Sequence, residues 1–310
     1  ADLLFELGTE ELPAGEIEPL VTALSAGIRN GLTEHGLPFA HAHCFSTPRR
    51  LAVLITEVTL KGPDIERTVV GPPASAARNE AGGWTKAAEG FARKQGVTLD
   101  ALVVREEQGV ERIVANIAQV GVEAASVIPD IVSAAVNALP VSKRMRWGRT
   151  RYDFLRPVQW LVLLRGDTIL PLELFGRSSG RESRGHRFHA NHSVSIAAPR
   201  DYSAALHQAK VIADVDERRA RVAEQVSQLQ GKGEQVALSQ ELLSEVTGLV
   251  EWPVALRGSF DKSFLDVPSQ ALISAMKTHQ KYFHITDQET GALLPAFITV
   301  ANIESQQPSE

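Results

Sequence analysis

The segment Leu51-Ala52-Val53-Leu54-Ile55 decides the fold, because its five apolar residues follow one another without a polar break. Such a run is typical of a strand that is buried on both faces of a sheet, and Pro48 marks the point where the chain enters it. A second apolar strand is predicted at residues 3–7, before the break at Gly8-Thr9. Between the two strands, apolar residues with helical spacing predict one helix with a single buried face: Ile17, Leu20, Leu24, Ile28 and Leu32.

Further helices and strands alternate along the chain. A strand ends at Gly71-Pro72-Pro73, residues 74–83 predict a loop, and Gln108-Gly109 favours a hairpin. One helix begins at the N-cap Ser239 and ends before Pro253. The other predicted helices are 85–94, 128–139, 201–209 and a heavily charged, solvent-facing one at 214–230, and the other strands are 102–107, 111–118, 158–164, 169–175, 254–257, 281–286 and 294–301. This mixture predicts an α+β fold of two lobes, residues 1–145 and 146–310, which meet near a basic linker at 140–155.

Composition restricts the class of protein before any motif is used. The 310 residues are 44% hydrophobic and 22% charged, as is ordinary for a globular protein of about two domains. The single cysteine, Cys44, cannot form an internal disulfide, which suits a reducing compartment such as the cytoplasm. No apolar run approaches the roughly 20 residues that cross a bilayer, and the N-terminal segment is acidic. We therefore expect neither secretion nor membrane insertion.

Positive charge is concentrated in one part of this acidic chain. Residues 143–192 contain eleven Lys or Arg against four Asp or Glu, although the whole chain has a net charge of −5. Aromatic residues are interleaved with these cations: Trp147, Tyr152, Phe154 and Phe188. Phosphates bind Lys and Arg, whereas unstacked bases bind aromatic faces, so the pattern favours a nucleic-acid surface. A solvated basic face without a ligand is the alternative.

A second stretch, residues 276–283, reads Met-Lys-Thr-His-Gln-Lys-Tyr-Phe. Its cations, histidine and aromatics would also suit an anionic, flat ligand. The alternative is a helix C-terminus whose cations face the helix dipole and whose aromatics enter the core.

Signatures of common enzymes are missing from the sequence. There is no phosphate-binding Gly-x-x-x-x-Gly-Lys-Ser/Thr loop, no Gly-x-Ser-x-Gly elbow and no pair of cysteines at zinc spacing. Two clusters could be considered for a metal, one at residues 186–192 with three histidines and one at residues 41–44 with two histidines and Cys44. His41 and His43 would share one strand face and Cys44 the other, which argues against joint ligation. No metal site is predicted.

Seven separated motifs occur in an order that resembles a known family. They are Glu6-Leu7-Gly8-Thr9-Glu10-Glu11-Leu12-Pro13, Thr47-Pro48-Arg49-Arg50-Leu51-Ala52, Met145-Arg146-Trp147-Gly148, Arg184-Gly185-His186-Arg187-Phe188, Leu249-Val250-Glu251-Trp252-Pro253, Met276-Lys277 with Gln280-Lys281-Tyr282-Phe283, and Val300-Ala301-Asn302-Ile303-Glu304-Ser305. The chain resembles the N-terminal part of the beta subunit of the bacterial heterotetrameric glycyl-tRNA synthetase.

This resemblance implies a division of labour between two polypeptides. A separate alpha subunit would hold glycine, ATP and Mg and carry out aminoacylation, so this chain would have no cofactor and no catalytic residue of its own. Two alpha and two beta subunits would form the holoenzyme, a glycine–tRNA ligase. The resemblance also implies a region similar to the editing-type domain of the phenylalanyl-tRNA synthetase beta chain. It further implies that HD-like and anticodon-binding domains of the family lie beyond the present sequence.

The expected role is tRNA binding and positioning. The residues expected to contact tRNA are Lys143, Arg144, Arg146, Arg149, Arg184, His186, Arg187, Lys277, His279 and Lys281. Trp147, His186 and Phe188 could equally be core anchors. Two alternatives stay open: an editing-like hydrolase of mischarged tRNA that uses His186 or His279, and a scaffold that docks the alpha subunit. The first alternative has a weak rationale, because a pocket for glycine can exclude larger amino acids by size.

Overall fold

The computed structural model describes residues 1–79, 82–149 and 151–305. The strands in this part of the chain are β1 (Leu3–Thr9), β2 (Ala42–Thr47), β3 (Arg50–Ile55), β4 (Ile65–Pro73), β5 (Leu102–Glu107), β6 (Val110–Gln119), β7 (Met145–Arg146), β8 (Asp153–Phe154), β9 (Val158–Arg165), β10 (Thr168–Ile169), β11 (Glu173–Leu174), β12 (Arg177–Gly180), β13 (Glu182–Arg184), β14 (Ser193–Ser195), β15 (Glu234–Val236), β16 (Val254–Ser259), β17 (Phe283–Asp287) and β18 (Leu293–Ala301). The α-helices are α1 (Ala14–Glu34), α2 (Ala74–Ala77), α3 (Lys86–Gln95), α4 (Ala124–Asn137), α5 (Tyr202–Gln208), α6 (Val215–Gln228), α7 (Gln240–Thr247) and α8 (Ser269–Ser274). A π-helical turn, Ala275–Gln280, continues α8. The α+β fold class is confirmed.

The largest sheet has the strand order β11-β12-β9-β1-β3-β2, with β10 paired to β9. Strand β3 contains the segment 51–55 and lies between β1 and β2, antiparallel to both. All seven residues of β1 are buried, as are most of those in β3. The apolar runs at residues 3–5 of β1 and 51–55 of β3 are explained by this position, since both faces of a central strand are covered.

Helices cover this sheet. Strand residues such as Phe45 and Trp160 form one core with Tyr202 and Leu206 of α5. Helix α1 packs on β2 and β3, and its buried residues include all five that the helical spacing selected. Burial of each such side chain stabilises the fold by about 1.5–3 kcal/mol relative to an exposed one.

A second, four-stranded antiparallel sheet has the order β15-β17-β18-β16. Helices α6 and α7 pack their apolar residues against it, including Val222, Val226 and Leu243. Helix α6 was predicted to face solvent, but Val222, Val226 and Arg218 are buried, so only its other face is solvated. The prediction followed the high charge of α6 and overlooked its short apolar stripe, which includes Val222 and Val226.

The chain divides into two compact units. The smaller contains His35–Leu37 and Leu60–Ser126, and the larger contains Ala1–Glu34, Pro38–Thr59 and the chain from Val127 onward. In the smaller unit, α2 and α3 pack on the sheet β4-β6-β5. The boundary predicted between residues 145 and 146 lies inside the larger unit, because β1 and β9, on either side of that position, pair in one sheet. An inserted unit of this kind leaves no local signal in the sequence.

Three local predictions differ from the structure. Residues 74–77 of the predicted loop form the short helix α2. The predicted strand 169–175 is broken into β10 and β11 and ends in a turn at Phe175. The basic segment 143–151, expected as a loop, includes β7, which pairs with β8. Within the described residues, no helix is both long and apolar enough to span a membrane.

Candidate nucleic-acid interface

One strongly basic surface is a small hairpin, which we call the basic hairpin and define as residues 143–149 and 151–156. Its strands β7 and β8 pair Met145 with Phe154 and Arg146 with Asp153, and Gly148 adopts the left-handed backbone of a turn. The segment contains six Lys or Arg and one Asp. All six cationic residues are exposed, so their charge is available to a ligand in solution.

Few carboxylates offset this charge. Arg144 donates from Nη1 to Asp153 Oδ1 over 3.0 Å, and both side chains are partly exposed. Arg156 donates from Nε to the backbone carbonyl of Glu11 and from Nη1 to the Met145 sulfur. The structure therefore brings Lys143, Arg144, Arg146 and Arg149 together on one short element, as predicted from their closeness in sequence.

Aromatic rings anchor the basic hairpin to the β11–β12 turn. The Phe175 ring centroid lies 5.5 Å from that of Phe154, 6.1 Å from Trp147 and 6.4 Å from Tyr152. We call these four side chains the aromatic cluster. Phe154 is buried, whereas Tyr152 is 39% exposed. Phe175 was missed at the sequence level, because a two-residue β turn is normally signalled by Asn-Gly or Asp-Gly and not by Phe-Gly.

Arg187 lies at the acidic end of β1. Its guanidinium approaches Glu10 at 2.6 Å and Glu11 at 2.9 Å. Burial alone would lower the pKa of Arg187, but hydrogen bonding and attraction to the two carboxylates raise it overall. Arg184 is exposed and donates to Ser193 Oγ at 2.7 Å. The two arginines therefore differ in their partners: in these contacts Arg187 is paired with carboxylates, whereas Arg184 is bonded to a neutral hydroxyl.

His186 lies in the interior rather than on the surface. Its Nδ1 accepts hydrogen bonds from the backbone N–H groups of Phe188 and His189, each at 3.2 Å. Burial lowers the pKa of His186, although Asn302 and Glu251 act in the opposite direction. The neutral ring thus holds the backbone of Phe188 and His189 in place. The side chain of Phe188 itself is 72% exposed.

The cations of residues 276–283 face carboxylates of α7. Lys277 pairs with Glu241 and Lys281 with Glu245, each at 2.7 Å. His279 is exposed. These residues are held by α7 and the π-helical turn. They therefore belong to different structural elements from the cations of the basic hairpin.

The aromatics of the same stretch point to its structural role. Phe283 is fully buried in the second sheet. Tyr282 stacks on Phe297 with a centroid distance of 4.4 Å and an interplanar angle of 4°. The alternative in which the aromatics enter the core therefore describes Phe283.

Residues from several of the motifs that carry the family resemblance form a buried ionic network centred on Glu251. Its Oε1 accepts from Thr47 Oγ1 at 2.8 Å and from Arg50 Nη2 at 3.1 Å. Its other oxygen lies 3.7 Å from Arg49 Nη1. Arg50 is fully buried and also donates to the Arg184 carbonyl at 2.9 Å. Burial alone would lower the pKa of Arg50, but Glu251 and Glu6 raise it overall, so the guanidinium stays charged.

Glu6 extends this network beneath the large sheet. Its carboxylate accepts from Ser183 Oγ, at 2.7 Å and 3.0 Å to its two oxygens, and from Trp160 Nε1. Trp160 also lies under the Arg50 guanidinium, 5.7 Å from the ring centroid. Burial and the nearby Glu6 raise the pKa of Tyr202 well above its usual range. These groups are inaccessible to a ligand, so the network joins distant segments rather than forming a reaction site.

The histidine clusters have other partners. His43 Nε2 lies 2.7 Å from Asp214 Oδ2, and His189 Nε2 accepts from the Glu304 backbone N–H at 2.9 Å. In residues 1–79, 82–149 and 151–305, no group of three or more His, Cys, Asp or Glu is arranged to hold a metal ion.

Fold and surface together define an α+β protein with an exposed basic hairpin that is suited to a polyanion. The chain belongs to the glycyl-tRNA synthetase beta subunit family, whose family model matches residues 3–310. It is 49% identical over 309 residues to the glycine–tRNA ligase beta subunit of Chromohalobacter salexigens, covering 99% of this chain and 45% of that relative. The corresponding protein of Pseudomonas fluorescens Pf-5 is 46% identical over 310 residues, with 100% and 45% covered. That of Pseudomonas aeruginosa PAO1 is 46% identical over 309 residues, with 99% and 44% covered. The chain thus spans somewhat less than half the length of these relatives.

Proposed function

We propose that this chain is the part of a glycyl-tRNA synthetase beta subunit that binds tRNA and positions it for ATP-dependent attachment of glycine by an alpha subunit. The observation that carries the proposal is the basic hairpin, in which six exposed Lys or Arg accompany one Asp. Family membership supports tRNA as the polyanion. Positioning of a substrate contributes to catalysis without bond chemistry on this chain.

The proposed assembly has two alpha and two beta subunits in the cytoplasm. Relatives of this chain are named beta subunits, which supports an alpha partner. In this proposal the alpha subunit holds ATP and Mg, while this chain holds no cofactor. We also propose that the part around residues 146–310 is related to the editing-type domain of the phenylalanyl-tRNA synthetase beta chain.

Phosphate contacts are proposed to begin at the basic hairpin and to extend to paired cations. Arg187, Lys277 and Lys281 already have carboxylate partners. Because partly exposed ion pairs contribute only about 0–1 kcal/mol, a phosphate can replace the carboxylate at little cost. Arg184 and His279 would add to this surface, whereas buried His186 would act by holding the loop.

The test is the salt dependence of tRNA binding. Fluorescence anisotropy with labelled glycine-specific tRNA would give the slope of log K against log salt for this chain. The double variant Arg146→Ala/Arg149→Ala is expected to reduce the magnitude of the slope by about 1.4–1.8, since each lost phosphate contact removes about 0.7–0.9. Arg93→Ala/Lys94→Ala, at two exposed positions of α3, is the matched control with the same change in charge. A wild-type slope near zero would refute the proposal.

The hydrolase and scaffold alternatives have separate readouts. Direct chemistry by His186 receives little support, because the ring is buried and its Nδ1 is engaged by two backbone N–H groups. Deacylation of alanyl-tRNA by this chain, lost on His279→Ala, would favour the hydrolase. Copurification with the alpha subunit without tRNA affinity would favour the scaffold, and glycine activation by this chain alone would contradict the division between subunits.

A further inference from the structure

The turn beneath the basic hairpin has an unusual residue in it. Phe175 and Gly176 form the two-residue loop between β11 and β12, where Leu174 pairs with Arg177. Their φ angles are +54° and +70°, as in a type I′ turn, whose first position normally holds Asn, Asp or Gly. A bulky aromatic residue in left-handed backbone is rare, and such backbone recurs at functional sites.

The aromatic ring at this position organises the basic hairpin. Phe175 contacts each of the other three members of the aromatic cluster, with ring centroids within 6.5 Å. Gly176 permits this approach, since a Cβ atom there would lie 2.9 Å from Cε2 of Tyr152. The Tyr152 ring therefore packs against the turn between β11 and β12.

The segment that carries Tyr152 is cationic. Arg151 is its neighbour in sequence, and Arg146 and Arg149 are exposed on the same hairpin. Tyr152 itself remains 39% exposed. A held, partly exposed ring among arginines combines the two features that bind single-stranded nucleic acid, which are a face for base stacking and charges for the backbone.

We propose that Tyr152 is a stacking residue for an unpaired nucleotide of RNA, with Trp147 beside it and Phe175 as the positioning residue. This inference rests on the proposed tRNA-binding function and specifies its ligand as single-stranded RNA. Bases within a duplex are already stacked on both faces, so only an unpaired base can use the ring. The strained turn is thereby explained, because Asn or Gly would fit the backbone but could not hold Tyr152.

The main experiment compares two RNA probes at a fixed salt concentration. One is an eight-nucleotide single-stranded oligoadenylate, and the other is a blunt duplex of the same length. Tyr152→Ala is expected to weaken binding of the single strand about fivefold to tenfold, in the lower part of the range for loss of one stacked base. Binding of the duplex should change less than twofold, and the salt slope should not change. Tyr152→Phe should retain affinity, and Phe264→Ala is the control, since Phe264 is 54% exposed and lies outside the basic hairpin.

A second variant separates positioning from folding. Phe175→Asn suits the left-handed backbone but removes the ring, so the variant is expected to weaken single-strand binding at least threefold while duplex binding is retained. Circular dichroism should show a thermal midpoint within a few degrees of the wild type. Equal losses for both RNAs, together with a large fall in the midpoint, would show that Phe175 is structural only and would overturn its assignment.

The outcomes distinguish this inference from the proposed function. If wild-type protein binds tRNA with a steep salt slope but Tyr152→Ala binds the single strand as well as wild type, the stacking site is refuted and the function stands. If wild-type protein binds neither tRNA nor oligonucleotide, both fail. If Tyr152→Ala loses capture of purified alpha subunit while RNA binding is intact, the ring is a protein contact and the inference is overturned.

Discussion

Removing one charge from the buried network should cost far more than removing the same charge from the surface. Glu251 is 1% exposed, and its carboxylate is the hydrogen-bonding partner of Arg50, which is fully buried. Glu251→Gln preserves shape and still accepts from Thr47, but it leaves the Arg50 guanidinium without its contacting anion. The perturbation therefore tests electrostatics rather than packing.

The expected magnitude follows from this geometry. Loss of one partner of a buried ion pair costs about 3–5 kcal/mol, because an uncompensated charge remains in the interior. Glu6 also acts on Arg50 electrostatically, so we expect a value near the lower end, about 3 kcal/mol. In a protein of 310 residues that corresponds to a fall in the melting temperature of roughly 5 °C, since the unfolding entropy is about 2.1 cal/mol/K per residue.

Urea unfolding followed by tryptophan fluorescence is the suitable assay, since Trp160 lies against Arg50. The control is Glu241→Gln, which removes a carboxylate from the exposed pair with Lys277 and should cost less than about 1 kcal/mol. Arg50→Met combined with Glu251→Gln should recover part of the loss, because the buried Arg50 charge is removed together with the carboxylate that contacts it. A cost for Glu251→Gln no larger than that of the control would refute the reasoning.

Three further expectations concern the motif residues. Burial lowers the folded-state pKa of His186, so its neutral form contributes stability above about pH 6.5, and that contribution is lost as pH falls below the unfolded-state pKa. The variant His186→Asn should therefore lose less unfolding free energy than the wild type between pH 7.5 and 5.5. Equal losses of unfolding free energy in the two proteins would contradict the assignment. Gly8→Ala would place Cβ 1.9 Å from Cε2 of Trp160 and should destabilise the chain by about 3 kcal/mol, while Gly15→Ala, with no atom within 4 Å of the new Cβ, should be neutral or stabilising in the same urea assay. Asn302→Ala removes the acceptor of two backbone N–H groups, at 2.7 Å and 3.1 Å, and should lower the unfolding free energy by about 2 kcal/mol; an unchanged midpoint would show that water replaces the amide.

The sequence by itself determined the elements whose residues interact locally. The apolar run in β3, the helical spacing in α1 and the Ser239 cap each carry their signal within a few residues, and each prediction was confirmed. The positive charge of the basic hairpin could also be predicted, because its cations are neighbours in sequence. Family membership could be recognised for a related reason, since the order of motifs is a property of the sequence itself.

Tertiary structure decided what distant segments do to one another. Sequence spacing could not show that Arg50 and Glu251 share a hydrogen bond, that His186 is buried, or that Lys277 faces Glu241. The same holds for Phe175, whose ring meets Tyr152 only because two hairpins pack together. Local propensity reports interactions within a turn of chain, whereas burial and ion pairing depend on which surfaces the whole fold brings into contact.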